Sequence, residues 1–205
     1  MRLFIALDTN DVIRERIVRF VEGVSGFAAD ARWVRPESLH VTLKFIGEQP
    51  EPTLEEIKRA LGAVVAGGVT LHFRGYGFFP TAKAPRVFWI GIEAGPELAT
   101  LAAAVDQQAA LLGIPREERG FSPHLTLARG GARGTHISGS PHRRKEDGPN
   151  RGFQRLQEKL AALPAPEFGT MTAHEFFLYQ SQLSPGGSRY TKLARFELRR
   201  PGASS

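Results

Sequence analysis

The chain reads as a single α+β domain with largely antiparallel sheets. Three observations predict this. Strand-like and helix-like runs mix without a regular β-α-β-α rhythm. The order helix, motif strand, helix, strand pair occurs twice, as in an internal duplication. And 205 residues, 41% hydrophobic and 23% charged, suffice for one real core without demanding two. We take residues 1–205 as one domain of two pseudo-symmetric lobes.

Period-two alternation, or enrichment in β-branched and aromatic residues, predicts strands at 2–7, 39–46, 69–79, 86–93, 123–128, 171–182 and 191–198. Between them lie four helical patterns. Asp11 to Gly23 gathers Val12, Ile13, Ile17, Phe20, Val21 and Val24 near one face, with Gly23 as a stop. Thr53 to Val65 has Thr53 and Glu56 in capping-box spacing and a stripe of Leu54, Ile57, Leu61 and Val65. Glu97 to Leu112 is rich in Ala and Leu and ends at Gly113; Phe153 to Leu163 ends at Pro164. The segment from Gly130 to Gly152 lacks apolar periodicity and is dense in Gly, Ser, Pro, Arg and His, so it reads as a flexible basic insertion.

Composition narrows the functional classes. With no cysteine, thiol nucleophiles, thiolate metal sites and disulfides are excluded. No apolar run reaches the length of a membrane span, and the apolar run at the amino end is too short for the core of a signal segment, so a cytoplasmic protein without a membrane partner is expected. Twenty-seven Lys and Arg against 21 Asp and Glu give a formal charge of +6, which favours an anionic partner such as RNA or a phosphate ester.

The chemistry lies in a repeated word. In Ser38-Leu39-His40-Val41-Thr42-Leu43-Lys44-Phe45, strict alternation puts His40, Thr42 and Lys44 on one face and Leu39, Val41, Leu43 and Phe45 on the core face. In Ser122-Pro123-His124-Leu125-Thr126-Leu127-Ala128-Arg129, His124 and Thr126 project together again. Residues two apart on a strand are separated by about 6.6–6.8 Å, close enough for an imidazole and a hydroxyl to meet one phosphate. Two imidazoles suit diester cleavage because one can accept a proton from the nucleophile while the other donates to the leaving oxygen near neutral pH. Spacing treats the two histidines as equals. Trp33 and Arg35 precede the first motif and Tyr190 lies near the last strand, where each could line the cleft; His72, His136, His142 and His174 have no Thr partner and receive no catalytic role. The histidine spacing has no zinc-ligand logic, so neither metal nor cofactor is expected.

The paired motifs resemble those of the 2H phosphoesterase superfamily, and the wider text resembles its RNA 2′,3′-cyclic phosphodiesterase branch, historically called 2′-5′ RNA ligase. The similar stretches are Met1 to Asp8, Trp33 to Glu48, Phe78 to Pro80, Pro85 to Ile92, Phe121 to Arg129 and Phe177 to Leu198. The resemblance implies a bilobal α+β fold, two antiparallel sheets facing a central cleft with helices outside, and metal-independent hydrolysis of an RNA terminal 2′,3′-cyclic phosphate to a 2′-phosphate. It also implies His40 as proton donor, His124 as proton acceptor, and Thr42 and Thr126 as phosphate-binding hydroxyls. Arg129, in the basic position after the second motif, suits bidentate phosphate contact. RNA ends or nucleotide cyclic phosphates are the implied substrates, and a monomer is expected. Three alternatives stay open: a relative acting on small cyclic nucleotide phosphates, one acting on 2′-5′ RNA linkages, or an RNA-binding module without turnover.

Overall fold

A computed structural model describes residues 1–130, 150–184 and 187–199. Its elements in chain order are β1 (Arg2–Asp8), α1 (Asp11–Val24), β2 (Arg32–Trp33), β3 (His40–Glu48), α2 (Leu54–Gly62), β4 (Val69–Pro80), β5 (Pro85–Ala94), α3 (Pro96–Leu111), β6 (His124–Arg129), α4 (Arg151–Ala161), β7 (Glu167–Ala173), β8 (Glu175–Ser184) and β9 (Gly187–Glu197).

The strands follow one path, β7-β4-β5-β6-β3-β1-β8-β9, with β2 beside β6. It has two four-stranded halves, β7-β4-β5-β6 and β3-β1-β8-β9, and these are the two sheets expected from the resemblance. They meet where β3 pairs antiparallel with β6, at one register pair among the described residues, Val41 with Leu125. The rest of that edge of β6 is taken by β2, through Arg32–Arg129 and Trp33–Ala128.

β1 explains its own apolar run. Leu3, Ile5 and Leu7 face the helices in the main core, while Phe4 and Ala6 are buried on the opposite face with Phe177 and Tyr179. A strand covered on both faces needs no polar alternation. The helices are exchanged between halves: α1 leaves β1 yet packs on the other half, where Arg16 donates to the Phe168 carbonyl and Phe20 meets Phe168 edge-on at 5.2 Å. α4 joins it there through Phe153 against Phe78, whereas α3 lies on β3 and α2 on α3 and β9.

Several expected boundaries move for local reasons. Asn10 caps α1, its side-chain oxygen accepting from the Ile13 N–H at 2.9 Å, and Val12 turns outward. The Thr53 capping box does not form. Its hydroxyl instead donates to the Pro50 carbonyl in a preceding 3₁₀ turn, so α2 starts at Leu54; it ends at Gly62, leaving Val64 buried and Val65 exposed. The strand expected over 171–182 is two strands. β7 pairs with β4 and β8 with β1, so the chain changes halves at His174. The basic insertion expected over 130–152 lies, apart from its ends, outside the described residues; at its far end Asn150 caps α4 by accepting from the Phe153 N–H.

Candidate active site

The joint between the halves builds the site. Val41 and Leu125 are fully buried, so the residues flanking each of them project to the opposite, open face. Those residues are His40, Thr42, His124 and Thr126, all half-buried. Antiparallel register around the Val41–Leu125 pair sets His40 toward Thr126 and His124 toward Thr42. The register therefore sets each histidine across the joint from the other motif's threonine.

A β-bulge in each motif completes the arrangement. On β3, Thr42 pairs with Ala6 and Lys44 with Ile5, leaving Leu43 as the extra residue. On β6, Thr126 pairs with Trp89 and Ala128 with Phe88, leaving Leu127 extra. A bulge reverses the facing of everything beyond it. Arg129 is thereby turned to the His124 face, where its positive charge acts on both imidazoles. The same reversal overturns two expectations from strict alternation. Lys44 points to the helix side and is buried, 6% exposed, while Phe45 leaves the core for the cleft face, 58% exposed and 6.3 Å from Phe4.

Both imidazoles are oriented by the same contact. Nδ1 of His40 lies 2.6 Å from the Ser38 carbonyl and Nδ1 of His124 lies 2.8 Å from the Ser122 carbonyl. A carbonyl can only accept, so each Nδ1 carries hydrogen and each Nε2 is the nitrogen free to gain or lose a proton. The repeat therefore extends to Ser-x-His-x-Thr-Leu. The serines stood in the sequence at matching places, but a backbone carbonyl leaves no trace in residue identity.

Aromatic rings wall the two histidines differently. Around His40 stand Phe4 at 4.8 Å and Tyr190, edge-on at 5.2 Å, so Tyr190 does reach the site. Phe4 in turn stacks on Tyr179 at 5.0 Å. Around His124 stand Phe79, edge-on at 5.0 Å, and Trp89 at 6.2 Å. Trp89 lies flat over Gly77, its cross-strand partner, where a Cβ would come within 2.1 Å of the indole. Trp33 takes no part: its indole N–H donates to the Ala28 carbonyl and its ring packs on the core residue Phe88.

A family model described as LigT like Phosphoesterase matches residues 7–89 and 90–137, and an RNA 2′,3′-cyclic phosphodiesterase of Archaeoglobus fulgidus is 35% identical over 200 residues, covering 96% of this chain and all of that protein. The chain belongs to the LigT-like phosphoesterase family. Solved structures agree in fold. A Thermus thermophilus protein superimposes with a TM-score of 0.74 at 30% identity, covering 98% of this chain and 99% of the other. E. coli LigT complexed with 3′-AMP gives 0.73 at 28%, covering 97% and 98%.

Electrostatics separates the two histidines of this LigT-like phosphoesterase. Burial drives His40 down to about 4, aided by Arg129 and His124 and opposed by the Ser38 carbonyl and by Asp8. Burial and then Arg129 also lower His124, opposed by the Ser122 carbonyl, with no carboxylate among its influences. Asp8 is the cross-strand partner of His40 on β1. Its carboxylate accepts from Lys192 at 2.6 Å, from Arg14 at 3.2 Å and from the Thr9 N–H at 2.9 Å. Sequence reading missed Asp8, Phe4, Phe79 and Trp89, because their roles follow from which strands are neighbours. Among the described residues, no three His, Asp or Glu side chains group as a metal site.

Proposed function

We propose that this phosphoesterase hydrolyses the terminal 2′,3′-cyclic phosphate of RNA to a 2′-phosphate, with one domain of two lobes supplying one histidine each and no metal taking part. The observation that carries the reading is the pair of Nδ1-anchored imidazoles on one cleft face, each flanked by a threonine. Relatives named RNA 2′,3′-cyclic phosphodiesterase supply the substrate class.

In this reading Nε2 of neutral His124 takes a proton from water as its oxygen attacks phosphorus. The bond from phosphorus to O3′ breaks, and protonated Nε2 of His40 gives its proton to that oxygen. Asp8 supports His40 as the donor, since a facing carboxylate favours the imidazolium. Thr42, Thr126 and Arg129 hold the non-bridging oxygens as charge builds. An anionic substrate between the imidazoles raises both above their values in the free protein, which is how a donor held low becomes charged in the complex.

The test is turnover of a short RNA with a cyclic end by the parent and by His40→Asn and His124→Asn. Each substitution should cost about 10²–10⁴-fold in kcat with the fold intact. Parental rates in either variant would refute the two-histidine reading, and loss of activity in EDTA would refute its metal independence. Because E. coli LigT was crystallised with 3′-AMP, 2′,3′-cyclic mononucleotides belong in the same assay, where faster turnover of them would favour the small-nucleotide reading.

A further inference from the structure

We propose that Lys44 is a positioning residue for the two-histidine site, a reading that rests on the function proposed above: its ammonium, gripped by Asp106 and the Pro115 carbonyl, fixes the segment leading into His124 relative to the strand carrying His40.

Lys44 sits two residues beyond Thr42, on the far side of the bulge, and is one of three buried polar side chains among the described residues. Its ammonium donates to Asp106 of α3 at 2.5 Å and to the Pro115 carbonyl at 2.9 Å. The same Asp106 oxygen accepts from the Glu117 N–H at 3.1 Å. Asp106 is partly desolvated, which alone would raise it, yet the bonds from Lys44 and Glu117 and the charges of Lys44 and Arg116 hold it below the ordinary carboxylate range. Asp106 therefore meets Lys44 as a carboxylate near neutral pH.

Between Leu111 and His124 there is neither helix nor strand, so that stretch depends on point anchors. Ile114 and Phe121 give it apolar contacts with the core. Such contacts resist separation but tolerate sliding, because dispersion has no direction. The ammonium and carboxylate supply direction, holding a carbonyl and an N–H two residues apart. Five residues beyond Glu117 is Ser122, whose carbonyl orients His124. Burying an ammonium against a half-buried carboxylate is a poor device for stability, since well-packed apolar side chains of equal volume serve as well or better. Its placement between the two motifs accounts for its presence through alignment, and misplacing a reacting group by 1 Å costs about a hundredfold in rate.

Lys44→Met keeps an unbranched side chain one atom shorter and removes the ammonium. The parent and Lys44→Met are compared for kcat and KM on a short RNA with a 2′,3′-cyclic end, for melting temperature, and for the ¹⁵N shifts of the His124 ring, with His72 as a distant reference. Expected is a fall of about tenfold to a hundredfold in kcat with KM changed less than twofold, a displaced His124 signal beside an unmoved His72, and partial recovery in Lys44→Arg. A kcat equal to the parent's per folded molecule, or a loss accounted for by the unfolded fraction, overturns the proposal. Should Lys44→Met not fold, Asp106→Asn removes the charge at the other end of the pair; it should lower kcat in the same sense, and parental kcat there overturns the proposal equally. A parent that turns over no cyclic phosphate would instead defeat the functional reading, and the His124 shift would still test the alignment.

Discussion

A histidine held near 4 leaves two measurable signatures, one in stability and one in rate. His40 binds its proton more weakly when folded, about 4 against 6.5 when unfolded. As pH falls from 6.5 to 4 the unfolded chain gains a proton that the folded protein refuses, so stability drops through that window. At 1.36 kcal/mol per pH unit the loss approaches ~3 kcal/mol. Urea unfolding at pH 7.5 and 4.5 should show the parent losing stability relative to His40→Asn by up to that amount; a constant difference would mean the imidazole is not held neutral. In the rate, the free enzyme must carry one proton on the pair, and both imidazoles lie below 6.5. The kcat/KM bell should therefore peak on the acid side of pH 6.5, whereas kcat, which reports the complex, should peak at higher pH. Coincident maxima above 7 would contradict the lowered values. That His40 and His124 lie on one face at the joint of the halves agrees with the repeated word, but the inequality between them was not readable, because Asp8 lies some thirty residues away and reaches His40 only across the β1–β3 pairing.

Among the secondary-structure elements, the two bulges matter most, and they explain where alternation fails as a guide. Leu43 and Leu127 are as apolar as Val41 and Leu125 two places before them, so the first core-facing residue of each bulge looks like an ordinary one in the sequence. Alternation alone would have turned Arg129 away from the cleft; only the resemblance led to its placement with His124. Phe45 offers the test. If it faces the cleft, Phe45→Ala should change stability by less than about 1 kcal/mol in urea unfolding, because exposed positions are tolerant; a core-facing ring would cost about 3–5 kcal/mol. Gly77 makes the complementary case. Its Cβ would overlap the Trp89 ring, which lies beside Phe79 and His124. Gly77→Ala should cost about 1–3 kcal/mol by overpacking and lower kcat as the indole is pushed into the cleft. Unchanged stability and rate would show that Trp89 does not need its flat seat.

For the molecule as a whole, charge predicts how substrate length is felt. With a formal charge of +6, KM for an oligonucleotide should rise steeply between about 50 and 300 mM salt while kcat holds, because extra phosphates release counterions on binding. KM for a 2′,3′-cyclic mononucleotide should rise much less; equal slopes would mean that only the terminal phosphate is felt. The α+β class, the helices α1 to α4 and most strands could be read from periodicity, since each depends on local pattern. The exchange of helices between halves and the break at His174 could not, because both are matters of which distant surface an element joins. That break also has a mechanical meaning. β7 and β8 stand far apart along the sheet path, yet His174 alone connects them, and its carbonyl accepts from the Leu198 N–H. The halves are therefore laced together at Val41–Leu125 beneath the histidines, at His174, and through the exchanged helices over one shared core. Neither half can come apart alone, so urea unfolding followed at Trp33 and by backbone signal should give one shared transition, and two separate midpoints would show the halves to be independent.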